Sequence, residues 1–139
     1  RNSNFLNGYV RPIMDLAEGK VEMFDREKTI DKIVKLEFEA FDKVQNVGGR
    51  ASCQNNWPFF YVMRKSQYMT WTDEMLECIC NLWEENKAKG WNMITEKYGR
   101  MMEHTSPEEY KKIKDNFPEK SERTIAIVDQ SVQMQLDWM

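Results

Sequence analysis

Apolar side chains that return every three or four residues constrain this chain more than any other feature. Ile30, Ile33, Val34, Phe41 and Val44 make one series. Met75, Leu76, Ile79, Cys80, Leu82 and Trp83 make a second, and Ile125, Val128, Val132, Leu136 and Met139 a third. That interval gathers side chains on one face of an α-helix, and no window alternates as a half-buried strand does. Start signals stand where the series need them. Asp25 or Thr29 can cap the first, Asn55 or Asn56 precedes Pro58, and Thr72 precedes Asp73 and Glu74. Ser106-Pro107-Glu108-Glu109 combines a cap, a first-turn proline and a capping-box glutamate, and Ser121 opens the last helix. Gly90, after Lys87 and Lys89, is the expected left-handed stop, and Asn92 begins a further helix with Ile94, Tyr98, Met101 and Met102 inward. The prediction is an all-α fold, a single-domain bundle of six or seven helices with no sheet. Residues 1–24 are expected to be an extended arm and a short helix from Pro12, and residues 25–139 the helical domain. The helix after Asn56 carries Phe59, Phe60, Val62, Met63, Tyr68 and Met69 nearly all round, which predicts a central position.

With 139 residues, 41% of them hydrophobic, the chain can bury a real core. A net charge of −3, with cations scattered among carboxylates, supplies no basic stripe, so nucleic acid is not an expected partner. The longest apolar run, Trp57 to Met63, is far short of the roughly 20 residues a membrane span needs. Three cysteines and one histidine do not read as a disulfide framework or a zinc site, so no metal and no cofactor are expected and a cytoplasmic location is. The chain begins with Arg1, which suggests a longer native context, and a homodimer is an open reading.

The polar stretch Gln45 to Asn56 is the one long glycine-bearing interruption in this pattern, and it carries Gly48, Gly49, Arg50 and Cys53. Chemistry is expected beside it. Glu37 lies seven residues after Ile30, about 20° away on a helical projection, and so falls on the apolar stripe. A carboxylate there costs several kcal/mol unless a cation or good donors meet it. Arg64 and Gln67 project from the same side of the next helix, and helices joined by a short connection usually pack together. Arg64 is therefore the predicted partner of Glu37. The competing reading is a buried ion pair that only fixes packing. Cys53, just ahead of the Pro58 helix and near Arg50, could be a lowered-pKa thiol or merely a small loop side chain. Gly48-Gly49-Arg50 could form an anion nest or simply a helix exit and turn. Trp57, Trp71, Trp83 and Trp91 could line a cavity, although aromatics at helix ends more often pack. His104 and Arg100, four apart, read as a surface pair.

Several strings between Leu36 and Pro107, among them Val-Gly-Gly-Arg-Ala-Ser-Cys-Gln, Met-Arg-Lys-Ser-Gln and Glu-Lys-Tyr-Gly-Arg-Met-Met-Glu, resemble a bacterial family known as domain of unknown function 4125. The resemblance covers about Thr29 to Met139 and brings no activity with it. It implies a bacterial cytosolic protein and matches at Glu37, Asn46, Gly49, Arg50, Cys53, Gln54, Arg64 and Gln67. The family pattern usually lacks a histidine at position 104, which sets His104 aside.

These features lead to a domain that binds a small polar or anionic ligand around Glu37, Asn46, Gly49, Arg50, Gln54, Arg64 and Gln67. Should it catalyse a reaction, Glu37 would be the general base and Cys53 a nucleophile. The alternative is a non-catalytic interaction or structural module.

Overall fold

The computed structural model describes residues 23–46 and 48–139. Among them are six α-helices and no strand: α1 Arg26–Asp42, α2 Trp57–Tyr68, α3 Asp73–Ala88, α4 Met93–Thr105, α5 Pro107–Ile113 and α6 Glu122–Asp137. Short 3-10 turns occupy Ser52–Asn55 and Lys114–Asn116. The all-α expectation holds. The predicted arm and the predicted Pro12 helix lie outside the described residues, except for the helix's last positions. Contacts fall into two compact units, one ending at Asn92 and the other spanning Met93–Met139.

In the first unit α1 packs on both α2 and α3. Asp25 caps it by accepting the Lys28 backbone N–H at 3.1 Å. Ile30, Ile33 and Val34 are fully buried and meet a core completed by Tyr68, Leu76, Cys80 and Trp83. Aromatic rings close the α1–α2 seam: Phe38 lies edge-on to Trp57 and Phe60, each at 5.0 Å, and Phe41 stacks on Phe60 at 5.4 Å. Polar clasps fix the register. Arg26 donates to Asp73 at 2.6 Å and to the carbonyls of Met69 and Trp71, which ties the start of α1 to the α2–α3 turn. Glu39 pairs with Lys87 of α3 at 2.6 Å.

The structure corrects the expectation that α2 is central. Phe59 and Val62 are 61% and 62% exposed, and of the α2 residues only Tyr68 is buried. The central helix of this unit is α1, because it packs on both α2 and α3. Asn56 and Thr72 cap α2 and α3 as expected, and Gly90 leaves α3 at φ +69°.

In the second unit α4 packs on α5. Ser106 takes the cap position of α5, but its side chain makes no capping bond, contrary to the expected box. Ser121 does cap α6, accepting from Thr124 at 3.1 Å. Gly99 of α4 is buried under the Phe117 ring, and a Cβ there would overlap the ring tip and reach Cε2 at 3.0 Å. Helix propensity alone would make Gly99→Ala stabilising by about 1 kcal/mol. The overlap reverses that sign. Gly99→Ala is expected to destabilise the protein by about 1–3 kcal/mol in urea unfolding, and a stabilised variant would contradict this seating of Phe117.

Candidate functional site

Glu37 sits on the core face of α1, 7% exposed. Two groups from α2 reach it. Arg64 Nε donates to Oε2 at 3.0 Å and lies 2.9 Å from Oε1, and the Tyr68 hydroxyl also donates to Oε2 at 3.0 Å. Arg64 and Tyr68 are one helical turn apart, so they meet one carboxylate together, and the guanidinium lies 5.0 Å from the Tyr68 ring centre. Nη2 of Arg64 donates to the Tyr68 hydroxyl at 3.1 Å, and Nη1 donates to Gln67 Oε1. Burial opposes the charge on Arg64, but its bonds to Glu37 and Tyr68 outweigh that and raise its pKa.

Burial first, and then the charge of Glu37, push the Tyr68 phenol above its ordinary value of 10.0. The folded state thus holds this proton more tightly than the unfolded chain does. The associated stability is complete below about pH 10 and is lost as the pH rises through the folded pKa. Unfolding free energy measured from pH 8 to 11 should fall more steeply in the native protein than in Tyr68→Phe. Parallel profiles would contradict this placement of the phenol.

An open cleft of about 420 Å³ runs beside the cluster, lined by Arg64, Gln67, Tyr68 and Trp71 with Ser66 and Thr70. Arg64 is 31% exposed there. A guanidinium has five N–H donors, and three are engaged, one each on Nε, Nη1 and Nη2. Two remain, one on each terminal nitrogen.

The other nominated residues gather elsewhere. Gln54, in the 3-10 turn and 2% exposed, spends its whole carboxamide on backbone and Asn46. Its Nε2 donates to the carbonyls of Phe41 at 2.9 Å and Val44 at 3.1 Å, and its Oε1 accepts from Ala51 N at 2.9 Å and Asn46 Nδ2 at 3.0 Å. These are carbonyls at and just beyond the end of α1, so Gln54 acts as a tertiary cap. Arg50 braces the same corner, donating to Asn55 Oδ1 at 2.7 Å, to the Gln54 carbonyl at 2.9 Å, and to Asp42. Gly49 turns the connection at φ +87°, a left-handed backbone that favours glycine. A cavity of about 190 Å³ lies here, lined by Asp42, Asn46, Gly49 and Arg50 among others. Among the described residues, no hydrogen bond joins the Gln54 corner to the Glu37 cluster. Cys53 is exposed on the 3-10 turn, and Cys78 and the buried Cys80 are also free thiols.

Sequence reasoning passed over two participants. Tyr68 read as a core hydrophobe, because nothing in a sequence shows where a phenol oxygen will find its partner. Glu96 of α4 is 8% exposed and takes Arg100 Nε at 2.8 Å and Lys120 Nζ at 2.9 Å. The four-residue spacing to Arg100 was legible, but the spacing to Lys120 was not. Arg100 thus pairs with Glu96 and donates to the Pro118 carbonyl at 2.6 Å, while His104 is exposed.

A family model described as "Protein of unknown function (DUF4125)" matches residues 27–139. The chain belongs to that family. The Glu37 cluster and the Gln54 corner both lie within the stretch that matches DUF4125. Comparison with curated proteins and with solved structures finds no match. Among the described residues, no DUF4125 helix is long and apolar enough to cross a membrane, and no three His, Cys, Asp or Glu side chains group as a metal site requires.

Proposed function

We propose that this DUF4125 chain is a helical binding domain that takes a small carboxylate- or phosphate-bearing ligand in the cleft at Arg64, Gln67, Tyr68 and Trp71. The observation that carries the reading is Arg64 itself. Its Nε is fixed by Glu37, one N–H on each terminal nitrogen is still unengaged, and the residue lines an open cleft. A guanidinium locked by a buried carboxylate is pre-organised for an anion, since its rotamer entropy is already spent. Trp71 and the Tyr68 ring offer apolar surface to the body of such a ligand. Asn46, Gly49, Arg50 and Gln54 are assigned a supporting role, holding the end of α1, rather than ligand contact. Glu37 is ion-paired with Arg64, so proton abstraction would have to break that pairing, and no catalytic step is assigned to it or to Cys53.

Thermal unfolding in the presence of a panel of small carboxylates and phosphates tests the reading. At least one compound should raise the midpoint of the native protein and leave Arg64→Gln unmoved. A panel without effect on the native protein, or with equal effect on both, speaks against it.

A second reading, a protein interaction module, has its own observation. Ile125, Val128, Val132 and Leu136 of α6 are about half exposed, at 50, 54, 49 and 56%, and they form one helical stripe. Exposed apolar stripes of this kind mark association surfaces. Sedimentation equilibrium would favour this reading if self-association disappears on replacing Val128 and Val132 with Lys.

A further inference from the structure

Of the described residues that wall the Arg64 cleft, Arg64 alone carries a charge, and Ser66, Gln67, Tyr68, Thr70 and Trp71 are neutral. That charge is already matched. The Glu37 carboxylate lies 2.9 Å from Arg64 Nε. It is buried on the core face of α1, so it cannot turn into water and leave the guanidinium bare. Flanking cations are matched as well. Arg26, which donates to the carbonyl of Trp71, holds Asp73 at 2.6 Å. Lys65, the neighbour of Arg64 in α2, meets two carboxylates, Glu27 and Asp31, each at 3.0 Å. That last group carries one positive charge against two negative ones.

An anion here meets different rules from those of a basic pocket. Attraction to a cation grows in proportion to the charge of the ligand, whereas the cost of leaving water grows as its square. Sites for phosphate monoesters offset the second charge with a cluster of arginines. This cleft has no such surplus. One oxyanion group can accept from the two unengaged N–H groups of Arg64, and its single charge faces the nearer guanidinium. A second charge on the same group gains no further cation and is repelled by Glu37 behind the first.

We propose that Glu37 sets the charge selectivity of this cleft, so that it takes singly charged oxyanions (carboxylates, sulfonates and phosphodiesters) and disfavours dianions such as phosphate monoesters. This role presupposes the Arg64 binding reading and narrows its ligands. It gives the buried carboxylate a part in recognition as well as in packing.

Benzenesulfonate and phenylphosphonate test it, because they share a shape and differ by one charge at pH 8.5. Calorimetric titration of the full chain at that pH should show the sulfonate binding at least about fivefold more tightly than the phosphonate. Arg64→Gln should weaken both. Glu37→Gln keeps an acceptor beside Arg64 but removes the matching charge, and it should move the affinity ratio at least about fivefold toward the phosphonate. A residue that only fixed packing would weaken the two probes alike. The comparison in the native chain needs no variant, so it stands even where Glu37→Gln fails to fold. Equal or tighter binding of the phosphonate by the native chain, with both probes still dependent on Arg64, would overturn the selectivity and leave the binding reading in place. Binding of neither probe, or binding unmoved in Arg64→Gln, would remove both.

Discussion

Replacing Gln54 with leucine is expected to cost about 3 kcal/mol, and replacing it with glutamate more. Leucine keeps the volume but strands the Val44 carbonyl and the Ala51 N–H, for which Gln54 supplies the hydrogen bonds. Each unmet buried backbone group costs about 1–3 kcal/mol. The Phe41 carbonyl suffers less, since it also accepts from Val44 N at 3.2 Å. Glutamate swaps the donating amide nitrogen for an oxygen aimed at two carbonyls, at the negative end of α1 and at 2% exposure. Nearby Arg50 offsets little of this, because it is already committed to Asp42 and Asn55. The buried carboxyl would be held protonated, with a raised pKa. Its proton restores one donor, so the deficit of Gln54→Glu should narrow as pH falls toward 4 and widen as pH rises through the raised folded value. Urea unfolding at pH 4.5 and pH 7.5 reads both effects. Equal stabilities for the native and Gln54→Leu proteins would mean that Gln54 is an ordinary loop residue.

The second large effect concerns Arg64. Arg64→Met is expected to destabilise by about 2–3 kcal/mol, below the 3–5 typical of a broken buried pair because Arg64 is 31% exposed. It leaves Glu37 buried with the Tyr68 hydroxyl alone. Glu37→Leu should cost less, since the guanidinium can turn to water. The double variant should recover part of the loss, because well-packed apolar replacements of an ion pair are often close to neutral. Its non-additivity should reach about 2 kcal/mol in a double-mutant cycle. Strictly additive losses would show that the two side chains do not act as a unit.

The helices and the Glu37–Arg64 meeting were legible in the sequence for one reason. Both depend on local periodicity plus the packing of neighbours joined by a short connection. Seven-residue spacing put Glu37 on the Ile30 line, and α2 had to lie against α1. What escaped the sequence depends on distant geometry. Gln54 read as a pocket residue because a carboxamide in a polar loop looks solvated. Its burial follows from where α1 stops, at Asp42, well ahead of the glycines that seemed to end it. The apolar content of α2 suggested a central helix, but composition does not say how many partners cover it. Phe59 and Val62 stay open while the less apolar α1 is buried from two sides.

In the proposed binding role Arg64 is held ready for an anion, while Arg50 is consumed by structure. The most direct measurement follows the guanidinium Nε–H resonances of both arginines by NMR as small carboxylates and phosphates are added. At least one compound should shift the Arg64 resonance saturably and leave that of Arg50 in place. No movement at Arg64, or equal movement at both arginines, would contradict the account.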